Sequence, residues 1–231
     1  MTGQLLPYQL RTDDALTITL FLCAMLLVLT AVVIGHPLLR RIEQMPLFAY
    51  RQNDKTGIET PGGVQPLMMT HAALIIGAFA WAMATRVHPD LPMLPIPTAV
   101  LLIAYIVIGA LYLCFCRWFY QFVGWLFFEP EEVKWGVEGW LNSACLISLL
   151  MFPLTLLAVY FSLPIGLLIL ILFLVLFFPG VLLFYWLKKL FYANFYGSLL
   201  LILYLCALEI FPMILMVLGI EQLNRYLLLN Y

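Results

Sequence analysis

Six long apolar runs divide this chain, and they constrain its fold more than any other feature. They cover residues 15–35, 67–85, 97–116, 140–163, 165–187 and 197–220. Because an α-helix rises about 1.5 Å per residue, about 20 apolar residues cross the roughly 30 Å hydrocarbon layer of a bilayer. Each run therefore predicts one transmembrane helix, and the whole chain, residues 1–231, is expected to form a single all-α membrane bundle.

The composition agrees with a bilayer as the main solvent. Hydrophobic residues make up 65% of the 231 residues and charged residues 10%, whereas soluble domains have about 45–50% apolar and about 25% charged residues. The formal net charge of −1 provides no basic field for phosphates, so nucleic acid is excluded as a partner. The expected partners are the lipid bilayer and other membrane proteins.

The orientation follows from the distribution of basic residues between alternate loops. Cytoplasmic loops of membrane proteins carry the excess of Lys and Arg. One side holds eight of the 11 basic residues and the other side three, Arg11, Arg86 and Arg225. The side with three should face outward, which predicts a multi-pass inner (cytoplasmic) membrane protein with both termini in the periplasm.

An aromatic segment follows the third run. The stretch from Arg117 to Phe128 stays apolar, and four of the six tryptophans lie at this boundary: Trp118, Trp125, Trp135 and Trp140. Tryptophan favours the membrane–water interface, so we expect an interfacial segment here, with the chain bending after the third span. The next residues, Glu129-Pro130-Glu131-Glu132, have the acids and the proline typical of a helix start.

The other long cytoplasmic loop, residues 37–66, is rich in turn residues and is the expected site of partner contacts. Its Pro61-Gly62-Gly63 lacks the lysine and hydroxyl that a P-loop requires after its glycines. A turn is therefore the preferred interpretation.

Glu209 is the ionisable residue expected deepest in the membrane. It lies about twelve residues into the last run, where a charged carboxylate is costly and burial favours the protonated form. Pro212 should bend the helix near this position. Tyr105 has a similar expected depth and is the suggested hydrogen-bond partner of Glu209. Glu209 has two interpretations: a structural residue that forms a hydrogen bond between helices, or a proton-carrying site.

Two further groups of residues suggest ligand sites. His36 and His71 are weak candidates for metal or haem ligation, although nothing in their spacing is typical of such a site, and no metal or cofactor is expected. Cys114 and Cys116 should point to nearly opposite sides of a helix. Arg117, Lys188 and Lys189 lie among aromatic residues at the cytoplasmic boundary, where they either anchor the helix ends or bind an anionic lipid headgroup.

Three strings carry a family resemblance: Gln4 to Tyr8, Gly124 to Phe128, and above all Asn194 to Pro212, NFYGSLLLILYLCALEIFP. The chain resembles an uncharacterised six-helix inner-membrane family of Bacteroidota that is often encoded beside uroporphyrinogen-III synthase. The resemblance extends over nearly the whole chain and implies an inner-membrane location. It implies no activity.

No Ser-His-Asp, His-Glu-x-x-His or paired-carboxylate pattern occurs in a position that supports hydrolysis. The sequence therefore favours a non-enzymatic component or scaffold of a cell-envelope membrane complex. Two alternatives remain: a small transporter or proton-coupled carrier that uses Glu209, and an enzyme or binding protein for a lipid-linked or tetrapyrrole substrate.

Overall fold

The structure, a computed structural model, describes residues 13–34, 64–93, 95–127, 130–161, 163–191 and 211–230, and most of these residues are helical. Within these ranges there are six α-helices and no strand, which confirms the all-α helical bundle. The helices are α1 (Asp14–Ile34), α2 (Val64–Val87), α3 (Thr98–Phe127), α4 (Pro130–Tyr160), α5 (Ile165–Phe191) and α6 (Phe211–Asn230), with a short 3-10 helix, Leu91–Met93, between α2 and α3.

Within the residues that the structure describes, three of these helices are long and apolar enough to cross a membrane. The segments are Pro66–Val87 in α2, Thr98–Leu126 in α3 and Ser143–Tyr160 in α4. Shorter apolar helical segments occupy Asp14–Thr30 in α1 and Ile165–Phe177 in α5. All five overlap the first five apolar runs of the sequence. The described part of the last run begins at Phe211, in α6.

Helix starts follow local sequence signals. The side chain of Asp13 accepts a hydrogen bond from the backbone N–H of Ala15 at 3.1 Å and so caps α1. Proline occupies or directly precedes the first turn of the next four helices, at Pro66, Pro97, Pro130 and Pro164. Proline suits this position because its fixed φ is helical and the first turn has no use for its missing N–H. The predicted helix start at Glu129-Pro130 is confirmed by α4.

The central helix of the bundle is α2, which packs against α1, α3 and α4. Its close approach to α3 depends on glycine. A Cβ atom on Gly77 would lie 2.5 Å from the Cα of Ile106, and one on Gly109 would lie 3.2 Å from the carbonyl oxygen of Ala73. Small residues at such positions let membrane helices pack backbone to backbone.

Successive helices from α2 to α4 alternate in direction. Gly77 meets Ile106 while Ala73 meets Gly109, so the partner number falls as the α2 number rises and α2 is antiparallel to α3. Three side-chain contacts between α2 and the α4 region, Met68 with Cys145, His71 with Ser148 and Arg86 with Leu163, all have a sequence separation of 77, so α2 and α4 are parallel. This alternation fits a chain that crosses the bilayer back and forth.

The segment after the third apolar run continues α3 instead of forming a separate element. Helix α3 has 30 residues, so it is about 45 Å long and ends about three turns beyond Cys116. Tyr120 packs on Trp140 at a ring-centroid distance of 5.6 Å, and Gly124 faces Val133. This packing against the start of α4 supports the extra turns. We call residues 117–127 of α3 and 130–142 of α4 the hairpin tip.

The outward faces of the helices are apolar. Every third or fourth residue of α1 is exposed: Ile18, Phe21, Met25, Val28 and Val32. The opposite face of α1 places Leu16, Leu20 and Cys23 in the core formed with α2 and α3. A helix surrounded by hydrocarbon is expected to be apolar both on the face toward the bundle and on the face toward lipid, as α1 is.

Candidate functional site

A seam of sulfur and polar side chains runs between α2 and α4. The thiol of Cys145 lies 3.0 Å from the thioether sulfur of Met68. One turn further along both helices, Nδ1 of His71 lies 3.4 Å from Oγ of Ser148. We call these four residues the α2–α4 seam. It lies near the start of the α2 span, on the side of the hairpin tip.

The hydrogen bonds of the seam determine the tautomer of His71. Ser148 donates its only hydroxyl hydrogen to the carbonyl oxygen of Cys145 at 2.8 Å. Its oxygen can then only accept from His71, so Nδ1 carries the imidazole proton and Nε2 has a free lone pair. His71 is 3% exposed, and its Nε2 has no hydrogen-bond partner within the described part of the chain. Buried polar atoms without a partner are rare and call for an explanation.

A second polar contact joins α3 to α6. The hydroxyl of Tyr105, which is 1% exposed, donates a hydrogen bond to Oδ1 of Asn224. Trp81 of α2 packs edge-on against the Tyr105 ring at a centroid distance of 5.5 Å. Asn224 is not predicted from the sequence as a partner of Tyr105. It follows the last apolar run and stands among the polar residues Glu221, Gln222 and Arg225, so no signal in the sequence sets it apart.

Arg86 binds the end of α4 with its guanidinium group. It donates to the carbonyl oxygens of Leu163 at 2.6 Å, Ala158 at 2.5 Å and Phe161 at 2.6 Å. The last carbonyls of a helix have no partner within the helix and form the negative end of its dipole, so a cation is favourable there. From the sequence alone, Arg86 is predicted only as a basic residue of an outward-facing loop. Its contact with α4 depends on which helices are neighbours, and one sequence does not show that.

The last turns of α3 carry an exposed aromatic surface that begins at Phe115 and continues into the hairpin tip. Phe115 stacks on Phe119 and Trp118 stacks on Phe122, with centroid distances of 5.6 Å and 5.5 Å. Trp125, one turn further, is 75% exposed. Arg117 is half-buried beside this surface. Cys114 is exposed and Cys116 is buried, which confirms that the two thiols point to opposite sides of α3.

Several sequence-predicted site residues lie outside what the structure describes. Glu209 and His36 fall outside the described residues, as does the loop from residue 37 to residue 63. Lys188 and Lys189 belong to α5, but their side chains are outside the description. Pro212 lies within the described residues, where it is buried near the start of the range given for α6. The proposed roles of these residues remain predictions.

Among the described residues, no group of three or more His, Cys, Asp and Glu side chains is placed to hold a metal ion. Instead, His71 contacts Ser148 and Cys145 contacts Met68, so this group combines nitrogen, oxygen and sulfur atoms and contains no carboxylate.

The helices, their apolar outward faces and the sparse internal polar contacts define the class of this molecule, an all-helical protein with segments suited to crossing a membrane. Within that class, residues 16–220 match the model of a family described as a domain of unknown function, DUF4271, and the chain belongs to that family. This agrees with the uncharacterised family that the sequence resembles. The chain matches none of the curated proteins and none of the solved structures.

Proposed function

We propose that this protein is a non-enzymatic component of an inner-membrane complex and that the hairpin tip is its contact with a second membrane protein. Both termini face the periplasm in this proposal, and the tip lies at the cytoplasmic surface, as the distribution of Lys and Arg predicts. The exposed aromatic surface on a helix longer than the hydrocarbon layer is the observation that carries the proposal.

The length of α3 and α4 supports a tip that reaches beyond the hydrocarbon. The fourth apolar run of the sequence starts at residue 140, although the helix α4 starts at Pro130. The intervening turns, residues 130–139, therefore extend about 15 Å from the apolar run. Trp118, Phe122 and Trp125 of α3 are exposed beside them. Aromatic residues are enriched where protein interfaces form.

The charge of the α4 part of the tip indicates the chemistry of the partner; residues 117–127 of α3 add one basic residue, Arg117. Residues 130–142 contain Glu131, Glu132 and Glu138 but one basic residue, Lys134. Apolar rings beside an acidic helix start suit a membrane protein that offers an apolar helix face with Lys or Arg near its cytoplasmic end. Like charges on the partner would oppose docking.

Site-specific photocrosslinking in intact cells tests the proposal. A photoreactive phenylalanine analogue is placed at Trp118, Phe122 or Trp125 in turn, and at the equally exposed Ile103, Val107 and Leu111 of the same helix as matched controls. We expect one adduct of defined mass from the tip positions and none from the controls. The charge reversals Glu131→Lys and Glu132→Lys should weaken the adduct. Equal crosslinking from both sets of positions, or none from the tip, would contradict the proposal.

A proton-coupled carrier is the second candidate, and it depends on the carboxyl group of Glu209 in the middle of an apolar run. Glu209→Gln keeps the size and the neutral charge of a protonated glutamate but cannot release a proton. In a carrier, this variant folds and loses proton uptake into vesicles. Unchanged uptake in Glu209→Gln rejects the carrier.

A further inference from the structure

His71 has a buried ring nitrogen without a hydrogen-bond partner among the described residues, and one turn along the same two helices the sulfur atoms of Met68 and Cys145 are in contact. An imidazole nitrogen, a thioether and a thiolate are ligands for a soft metal ion. We propose that Met68, His71 and Cys145 of the α2–α4 seam bind one monovalent copper ion, Cu(I). This proposal is independent of the partner contact at the hairpin tip.

The placement of the three groups follows from the two parallel helices. Met68 and His71 are three residues apart on α2, so they share one face of that helix. His71 meets Ser148, three residues beyond Cys145 on α4, and Met68 meets Cys145 itself. The His71 level therefore lies three residues, about 4.5 Å of helix rise, from the level of the two sulfur atoms. We infer that one ion between these two levels is within reach of all three side chains.

The ligand types favour Cu(I) over other ions. Thioether and thiolate sulfur select soft ions such as Cu(I), whereas Mg²⁺ and Ca²⁺ require oxygen ligands. Zinc sites in proteins use cysteine, histidine and carboxylate, and a methionine ligand is foreign to them. On binding, the Cys145 thiol forms a sulfur–copper bond and releases its proton to solvent, so the thiolate cancels the charge of the ion.

The hydrogen bond from His71 to Ser148 matches the outer shell of metal sites. A metal-bound histidine uses one ring nitrogen for the metal and donates the N–H of the other to a fixed partner. Here Nδ1 donates to Ser148, and the partnerless Nε2 is left for the ion. The sulfur atoms at 3.0 Å must separate to about 3.8 Å to share an ion, given metal–sulfur bonds of about 2.3 Å.

Competition with a chromophoric Cu(I) chelator tests the site on the full chain in detergent. We expect one Cu(I) per chain, with sulfur and nitrogen ligands in the X-ray absorption spectrum. Met68→Leu and Cys145→Ala should each lower the affinity at least ten-fold. Ser148→Ala leaves all three ligands in place but removes the hydrogen-bond acceptor of His71, and it should lower the affinity about 10-fold or more. Cys23→Ala and Cys114→Ala are the matched controls, because Cys23 is buried in the core away from this seam and Cys114 is exposed.

Three results would overturn the proposal: no competition by the wild-type chain, equal affinity in Met68→Leu, Cys145→Ala and the two controls, or Zn(II) binding in place of Cu(I). Because Met68→Leu and Cys145→Ala are small apolar changes, thermal unfolding of each apo variant checks that it folds. A folded variant that keeps full Cu(I) affinity counts against the site.

Discussion

Arg86 shows how much one side chain can contribute to a bundle that has few polar contacts. Its guanidinium satisfies three carbonyls at the end of α4 and in the turn that leads to α5. A hydrogen bond to a charged group contributes about 1.5–3 kcal/mol. Since one of the three bonds is exposed, we expect Arg86→Ala to lower the free energy of unfolding by about 3 kcal/mol. Unfolding in mixed micelles measures this.

A matched arginine provides the control for that prediction. Arg225 forms an exposed ion pair with Glu221, four residues back on α6, at 2.5 Å. Exposed pairs of this kind contribute about 0.3–0.5 kcal/mol, so Arg225→Ala should be close to neutral. Arg86→Lys keeps the charge but lacks the planar guanidinium group with its several N–H donors. The free energy of unfolding of this variant should lie between those of wild type and Arg86→Ala. Equal effects at Arg86 and Arg225 would show that Arg86 does not hold α4.

The Tyr105–Asn224 hydrogen bond joins α6 to the rest of the bundle. Tyr105→Phe removes the donor and Asn224→Ala removes the acceptor. Hydrogen bonds between membrane helices average about 0.6 kcal/mol in double-mutant cycles, with values up to about 1.7 kcal/mol. We expect a coupling energy in the upper part of this range, because both residues are buried. If the effects of the two substitutions on the free energy of unfolding were strictly additive, the hydrogen bond between Tyr105 and Asn224 would be excluded.

At the level of elements, the α2–α3 contact depends on the missing side chain of Gly77. A methyl group there would meet the backbone of Ile106 at 2.5 Å, and a backbone cannot rotate away as a side chain can. Overpacking costs about 1–3 kcal/mol, so Gly77→Ala should destabilise the protein by that amount, as measured by thermal unfolding.

Gly166 is the matched control, since it lies in a helix with nothing within 4 Å of the position of a Cβ atom. Gly166→Ala should be neutral or stabilising by up to about 1 kcal/mol, because alanine loses less backbone entropy in a helix. If Gly77→Ala were as well tolerated as Gly166→Ala, the close packing of α2 on α3 would be wrong.

The elements themselves were largely predictable from the sequence. Apolar runs bounded by prolines predict helices by local physics, and α4 begins at Pro130 as expected. The third apolar run ends at residue 116, whereas α3 continues to Phe127, because the extra turns depend on packing such as that of Tyr120 on Trp140. The contacts of Arg86, His71 and Asn224 join residues far apart in the sequence. Which helices are neighbours cannot be deduced from one sequence, so these contacts could not be predicted.

At the level of the whole molecule, the helix directions and the charge distribution lead to one topology. Helices α2 and α4 are parallel, and α3 is antiparallel to α2. The link between α2 and α3 should therefore lie on the opposite side of the membrane from the hairpin tip. The excess of Lys and Arg predicts that the tip faces the cytoplasm.

Cysteine labelling from each side of the membrane tests this topology most directly. In a chain whose five native cysteines are replaced, a single cysteine is introduced at Asp90, beside the α2–α3 link, or at Gln121 in the hairpin tip; both positions are exposed. An impermeant maleimide should label position 90 only in right-side-out vesicles and position 121 only in inverted vesicles. Labelling of both positions from the same side would contradict the account.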